Sequence, residues 1–215
     1  METVRLHIAR QGSPLWHHCV ELAQARYRSE YGAEIGPAPD GFLALTRETE
    51  EMAVPLSCAG MVHGVGRLLV ENYLPEDDLL DVLTERLGTR MDPSQVVEVG
   101  PFASSQAGAG LTLLKMLPAL LWCNGAQLAL CTATKSLRQA FQRVGIDFHP
   151  LVPATEEMLP EAGRGTWGTY YETGPVAGYV DLRDTAVEIS REATGIGHGL
   201  AVNWGDRGSE RTVKV

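Results

Sequence analysis

The strongest constraint on the fold is a buried strand that leads, through a turn of very small residues, into a helix. The run Val96–Phe102 carries a single charged residue, Glu98. Residues 103–110 are only Ala, Ser, Gly and one Gln, and the apolar run 111–123 predicts a helix bent at Pro118. The first backbone N–H groups of such a helix have no partner within the helix. This stretch therefore predicts an α/β fold with open main-chain donors at the turn.

The rest of the chain repeats this alternation of strands and helices. Towards the C-terminus, apolar patterns and capping residues predict a strand, a helix and two more strands, over 127–132, 136–144, 147–152 and 176–182. Right-handed crossovers make the strands over 95–102, 127–132 and 147–152 parallel neighbours. Upstream, the pattern predicts a strand over 4–9, a helix from Ser13-Pro14 to Gly32, strands over 42–45 and 53–62 joined by a turn over 46–51, and a helix over 79–87.

The length of 215 residues suits one α/β domain, which we place over residues 1–183. From Asp184 onward the periodic spacing of apolar residues is lost and glycines become frequent. This predicts a flexible tail or an arm that packs on the surface of the domain. There are 27 acidic and 18 basic residues, giving a net charge of -9. This net negative charge disfavours non-specific electrostatic binding of nucleic acid or anionic lipid. An anion would therefore have to bind at a local site.

The four cysteines, Cys19, Cys58, Cys123 and Cys131, form no CxxC pair, and no His lies at metal-ligand spacing from them. We therefore expect reduced core thiols and no metal site. The N-terminus has no export signal. The longest apolar run has 13 residues from 111 to 123, whereas a membrane span needs about 20. The sequence predicts a cytoplasmic protein without stable membrane insertion.

Three features are candidates for chemistry, and each has a structural alternative. The small residues of the turn either cradle an anion, as the open N-terminus of a helix does, or merely allow tight packing. Glu98 is either solvated or paired with an arginine, or it lies in a cleft where burial raises its pKa and makes it a base. The aromatic segment 166–171, with Trp167, either lines an acyl pocket and supplies a proton donor in Tyr170 or Tyr171, or it forms a core strand. Tyr27 and Tyr31 likewise either line the pocket or lie in the core.

The order of elements and the stretch 96–110 resemble the GNAT acyltransferase fold, and Phe141–Ile146 is similar to its closing helix-to-strand motif. From about Tyr27 to Leu182 the chain is similar to the thermostable hemolysin family, which itself resembles acyl-homoserine-lactone synthases. The segments that carry this resemblance are Ala25–Ala33, Val97–Gly100, Cys131–Thr134, Ala140–Gly145 and Trp167–Tyr171.

The resemblance implies a GNAT-like mixed, partly parallel sheet flanked by helices, and transfer of an acyl group from a thioester to an amine, or alternatively to a hydroxyl. The thioester would be acyl-CoA or an acyl carrier protein, with no permanently bound cofactor. Glu98 would be the base, Tyr171 the proton donor, and the N–H groups of Phe102 and Ala103 the oxyanion donors. The phosphate cradle would be Ser104, Ser105, Gln106, Gly108, Ala109 and Gly110. The substrate-binding side chains would be Arg26, Tyr27, Tyr31, Trp167 and Tyr170, with Arg26 holding an acceptor carboxylate or pairing with Glu98.

Two departures from these families bear on the expected thioester donor and on the expected product. Ser105 stands where the GNAT loop has Gln or Arg, which leaves room for a thioester carried on a protein's phosphopantetheine arm. Pro101-Phe102 stands where the lactone synthases have an Arg, so formation of homoserine lactone is not expected. The alternatives are a non-catalytic binding protein on the same fold and the membrane-active hemolysin that the family label implies.

Overall fold

Seven strands form one mixed sheet in the order β1-β2-β3-β4-β5-β7-β6 in the computed structural model, which describes residues 4–49, 52–64, 67–74 and 78–183. The strands are β1 (Val4–Arg10), β2 (Gly41–Glu48), β3 (Ala53–His63), β4 (Val96–Ser104), β5 (Leu128–Ala133), β6 (His149–Pro153) and β7 (Val176–Asp181). The helices are α1 (Pro14–Tyr31), α2 (Leu79–Leu87), α3 (Ala109–Cys123) and α4 (Lys135–Val144). The predicted tail over 184–215 lies outside the described residues.

Local capping explains where the predicted helices begin and end. The Ser13 hydroxyl accepts from the Trp16 N–H at 3.3 Å, which starts α1, and Gly32 ends that helix. In the same way, the Thr134 hydroxyl accepts from the Leu137 N–H at 3.3 Å, and Gly145 ends α4. These predicted boundaries are confirmed because they depend on contacts within a few residues.

The sheet has one parallel pair of neighbouring strands among the described residues, β4 and β5. β1 to β4 form an antiparallel meander, and β7 lies antiparallel between β5 and β6. The mixed, partly parallel sheet is confirmed, but the prediction that β6 is a neighbour of β5 is wrong. After β6 the chain returns and β7 takes the place beside β5, an arrangement that a local apolar pattern does not encode.

The β2 strand is longer than predicted. Thr46 and Arg47 were expected in a turn, but they pair with Pro55 and Val54 of β3 through a register shift after Leu45. The ladder continues because these polar residues still gain main-chain hydrogen bonds there. Helix α3 begins two residues before the predicted start at 111 and continues through Pro118 to the predicted end at Cys123.

Helices cover both faces of the sheet and give β4 two different environments. Val97 packs with Leu113 and Leu117 of α3 on one face. Val96 packs on the other face with Tyr73 of the short 3-10 helix Val70–Tyr73 and with α2. Since successive strand residues point to opposite faces, Glu98 lies on the face of Val96. All four thiols are free, as the sequence predicts, and Cys19, Cys58 and Cys131 are buried in the core. The expected core position of Cys123 is wrong, because this residue is exposed at the end of α3.

Candidate active site

The β4 and β5 strands separate in the middle of the sheet. They pair only at Val96–Leu128, Val97–Ala129 and Glu98–Leu130. Beyond Glu98, β4 remains on β3, where Met61 pairs with Val99 and Ala59 pairs with Phe102. β4 thus has one residue more than β3 over this interval, so it bulges. The bulge lies over Gly60, where an added Cβ would overlap the Gly100 carbonyl.

The bulged part of β4 points its main-chain donors in alternating directions. The Ser105 N–H donates to the Leu56 carbonyl of β3 at 2.9 Å, so the Ala103 N–H, two residues earlier and paired with Cys58, also faces β3. The Phe102 N–H, one residue before Ala103, therefore faces away from β3, on the side of the Tyr27 phenol, where it opposes the rise in pKa that burial causes. Of the two predicted oxyanion donors, Phe102 therefore faces the open side of β4, and Ala103 faces β3.

A cavity of about 510 Å³ opens beside the separated strands. Its volume lies within the range of about 300–1,000 Å³ that small-molecule sites occupy. Its walls come from Tyr27 of α1, the loop 34–39, the bulge 99–101, Thr132 of β5 and residues 162–170. Glu98 lines it as well, together with Arg67 and Leu69.

Glu98 is a buried carboxylate held by main-chain donors. Only 6% of the Glu98 surface is exposed to solvent. Its Oε2 accepts from the Leu69 N–H at 2.6 Å, and its Oε1 accepts from the Val70 N–H at 3.1 Å. Burial raises the pKa of Glu98 to about 7, although the two N–H groups lower it; the charge of Glu71 raises it further. A carboxyl with this pKa can take up a proton near neutral pH.

Arg26 lies away from this carboxylate. It is exposed on α1 and pairs with Glu30, Nη2 to Oε2 at 2.8 Å. The suggested pairing of Arg26 with Glu98 is therefore wrong, because the helical period turns Arg26 to solvent while its neighbour Tyr27 faces the cavity. Tyr31 donates to Glu30 at 3.2 Å and packs against the edge of Tyr170.

The aromatic segment forms a turn and the 3-10 helix Tyr170–Thr173, so its alternative as a core strand is wrong. The chain docks on the end of α1: the Thr169 N–H donates to the Tyr31 carbonyl at 2.9 Å, and a Cβ on Gly168 would overlap that carbonyl. Trp167 and Tyr170 line the cavity, and the Tyr170 hydroxyl donates to the Thr132 carbonyl at 3.0 Å.

Tyr171 points elsewhere. Its hydroxyl lies 2.7 Å from the hydroxyl of Tyr73, and burial followed by this contact raises its pKa above the ordinary range. Such a phenol is a weak proton donor.

The turn before α3 combines packing with open donors. Ser105 donates its N–H and its hydroxyl to the Leu56 carbonyl, at 2.9 and 3.2 Å, and the Ser104 hydroxyl donates to the Gln106 carbonyl at 2.9 Å. Gln106 Oε1 accepts from Arg47 at 3.1 Å. These side chains serve the turn itself.

The first turn of α3 is more open. Gly108 is its N-cap and supplies no side-chain acceptor, while the Ala109 N–H donates to Gln106 at 3.2 Å. The N–H groups of Gly110 and Leu111 donate to no described residue. An added Cβ on Gly110 would crowd Ser104 Cβ at 3.2 Å. Both interpretations of the turn therefore find support: the serines pack it, and the helix keeps two open donors.

The sequence model of the family described as thermostable hemolysin matches residues 9–186. The chain belongs to the thermostable hemolysin family. No curated protein matches the sequence significantly. Within the described ranges, no helix of this family member is long and apolar enough to cross a membrane.

Solved structures place this thermostable hemolysin family member among GNAT-like folds. It is similar to the CoA-dependent acyl-homoserine lactone synthase BjaI with SAM and isopentyl-CoA, at 13% identity and a TM-score of 0.59 over 98% of this chain and 96% of that one. It is also similar to FeeM, an N-acyl amino acid synthase from uncultured soil microbes, at 11% identity and a TM-score of 0.57, over 86% and 93%. The AHL synthase LasI matches at 14% and 0.54, over 85% and 91%. These likenesses show the fold, and the GNAT-like prediction is confirmed.

An apolar slot lies on the opposite face of the separated strands in this hemolysin-family protein. Its volume is about 40 Å³, and none of the described residues that line it carries a charged side chain. Val99 and Phe102 of β4 meet Leu114 of α3 and Phe141 of α4 there. Val99 lines both this slot and the larger cavity.

Sequence reasoning missed several cavity residues of this family member. Pro37 and Pro39 predict a loop, but they do not indicate that the loop 34–39 forms a wall of the cavity. Arg67 and Leu69 belong to a segment for which no element was predicted, and they reach β4 only through the tertiary fold. No local pattern marks them.

Proposed function

We propose that this protein is an N-acyltransferase that moves an acyl group from a phosphopantetheine thioester to an amine. The observation that carries the proposal is the separation of β4 and β5, which leaves the Phe102 N–H of β4 without a strand partner, next to the Tyr27 phenol that lines the cavity containing Glu98. An acyl transferase needs both parts: a donor for the developing oxyanion, and a base for the amine.

The thioester would lie across the gap with its carbonyl oxygen towards the Phe102 N–H. A well-placed donor of this kind contributes roughly 3 kcal/mol to catalysis. The phosphate of the donor would bind at the start of α3, where Gly110 and Leu111 have open N–H groups and the helix dipole is positive. The acyl chain would enter the apolar slot beside Val99.

The amine would approach from the large cavity. A protonated amine cannot attack, so Glu98 accepts a proton from it. The amine nitrogen then forms a bond to the thioester carbon, and the C–S bond breaks with its electron pair on sulfur. The nitrogen loses a second proton as the amide forms, and the thiolate gains one as it leaves. The net products are an amide, a free thiol and one proton.

Both acyl-CoA and acyl carrier proteins present a phosphopantetheine thioester, and the site features above recognise the part that they share. Ser105 in place of a longer polar side chain favours a carrier protein, because it leaves fewer side-chain contacts to the nucleotide part of CoA. The preferred thioester donor will therefore be the one, acyl-CoA or acyl carrier protein, from which the protein transfers the acyl group faster. An acidic carrier would meet α4, which carries Lys135, Arg138 and Arg143 and no acidic residue.

The test is release of free thiol by the purified protein from acyl-CoA and from acyl carrier protein, with a panel of amines. We expect release that depends on the amine, together with an amide product of matching mass. Tight binding of a thioester without release for any amine would instead assign a non-catalytic binding protein. Absence of both binding and release would overturn the proposal.

A further inference from the structure

We propose that the amine acceptor is an amino acid with an uncharged side chain, and that Arg67 binds its carboxylate. This inference rests on the proposed function for the identity of the reaction. It adds the class of acceptor and assigns a binding role to a residue that no sequence pattern marks.

Arg67 is the only cation among the described residues that line the cavity. Its guanidinium makes one long contact, Nη2 to Asn72 Oδ1 at 3.5 Å, and it forms no ion pair with a described carboxylate. A guanidinium presents its N–H groups in a planar fork that matches a carboxylate. Arg67 is therefore open to an anionic ligand in the cavity.

Arg67 and Glu98 are tied together through one short segment. Leu69 and Val70, which follow Arg67 by two and three residues, donate their N–H groups to Glu98. Two residues span at most about 7 Å, so the Arg67 backbone lies close to the carboxylate. Yet the two side chains form no ion pair and line the same cavity. The cavity thus offers a negative and a positive group to a ligand that carries both charges.

The anion at Arg67 belongs to the acceptor rather than to the donor. The proposed phosphate site begins after Ser104, six residues along β4 from Glu98. At about 3.3 Å per residue these positions are roughly 20 Å apart. Arg67, beside Glu98, therefore lies at the far end of the site from the donor phosphate. Arg26, the other candidate for an acceptor carboxylate, already pairs with Glu30.

The remaining lining selects the side chain of the amino acid. Ile35, Leu69 and Trp167 supply apolar and aromatic walls. Glu34 also lines the cavity and disfavours a second carboxylate on the ligand. Apolar and aromatic amino acids fit these walls best, and Asp and Glu fit worst.

The experiment compares matched acceptors: L-phenylalanine, L-phenylalaninamide and 2-phenylethylamine. Thiol release is measured with the wild type, with Arg67→Gln and Arg67→Lys, and with Arg86→Gln as control, since Arg86 is exposed on α2 outside the cavity. We expect the wild type to prefer phenylalanine. Arg67→Gln should lower kcat/KM for phenylalanine about 10- to 100-fold, mainly through KM, because a hydrogen bond to a charged group is lost. Arg67→Lys should recover part of this loss, and both amine analogues should be used equally well by all four proteins.

Equal use of the acid and the amide by the wild type would overturn the inference, as would an equal loss for all acceptors in Arg67→Gln. Calorimetric titration of phenylalanine separates the two proposals. If no amine releases thiol but phenylalanine binds the wild type and not Arg67→Gln, acyl transfer fails and the role of Arg67 stands. If thiol is released but phenylalanine binds both proteins alike, acyl transfer stands and the role of Arg67 fails. Loss of both release and binding overturns both.

Discussion

The two halves of β4 share one strand but have different neighbours. In the first half, Val97 and Glu98 pair with β3 on one side and with β5 on the other. In the second half, Phe102 and Ala103 pair with β3 and with no other described strand. The first half holds Glu98 in the sheet between two neighbouring strands, and the second half leaves the Phe102 N–H without a strand partner. A binding site can thus arise where one ladder of a sheet ends while the other continues.

The largest expected effect comes from the first half of the strand, at its carboxylate. We expect Glu98→Gln to lower turnover about 10²- to 10⁴-fold, because the amide cannot accept a proton from the amine. Wild-type kcat/KM should rise with pH up to about 7, the pKa of Glu98, and Glu98→Gln should lose this rise. Thiol release across a pH series measures both. A loss of turnover no larger than the loss of folded protein would make Glu98 structural.

The same carboxyl makes stability depend on pH. The pKa of Glu98 is raised from 4.5 to about 7 in the folded state, so the folded protein binds the proton more tightly than the unfolded chain. The stability that this group contributes is present below pH 4.5 and is lost as pH rises through 7. We expect the free energy of unfolding of the wild type, relative to Glu98→Gln, to fall by about 3 kcal/mol over this window. Urea unfolding between pH 5 and 8 tests the sign; a difference that rises with pH would contradict it.

The bulge that divides the two halves depends on Gly60. We expect Gly60→Ala to destabilise the protein by about 1–3 kcal/mol, because the new Cβ meets the Gly100 backbone, which cannot yield easily. Gly36→Ala is the matched control, since nothing lies within 4 Å of an added Cβ there. Thermal unfolding compares them. Equal stability of the two variants would show that the bulge tolerates a side chain.

Two valines compare the halves directly. Val97 is 3% exposed in the paired half, whereas Val99 is only partly buried and lines both cavities. We expect Val97→Ala to cost about 2 kcal/mol of stability and Val99→Ala less than about 1 kcal/mol. Val99 loses less because its side chain borders two cavities and therefore makes fewer packing contacts than Val97 does. Chemical denaturation measures both. The reverse order would mean that the separated half is packed as tightly as the paired half.

The smallest expected effect is at Tyr171. Its hydroxyl faces Tyr73 rather than the cavity, so Tyr171→Phe should cost about 1 kcal/mol of stability through one lost hydrogen bond and leave turnover within about threefold. The thiol assay and an unfolding curve check these values. A large loss of turnover at unchanged stability would restore the predicted role of Tyr171 as proton donor.

Much of the candidate site was predictable where it depends on neighbouring residues. Glu98, the open start of α3, and the aromatic segment all stand out from their local sequence. Arg67 does not, because its place beside Glu98 depends on contacts between residues 28 and 29 positions apart. Arg26 was predicted for the role that we now assign to Arg67, since sequence similarity shows residue type but not which face of a helix meets a cavity.

By itself, the amino-acid sequence determined the elements, most of their boundaries, the fold class and the family. These follow from apolar periodicity and from caps such as Ser13 and Thr134, which act within one turn of a helix. The tertiary structure alone decided that β7 lies between β5 and β6, where β4 leaves β5, and which charges share the cavity. Those outcomes depend on how distant segments compete to pack and pair, as Tyr73 and Tyr171 do across 98 residues. No local pattern records that competition.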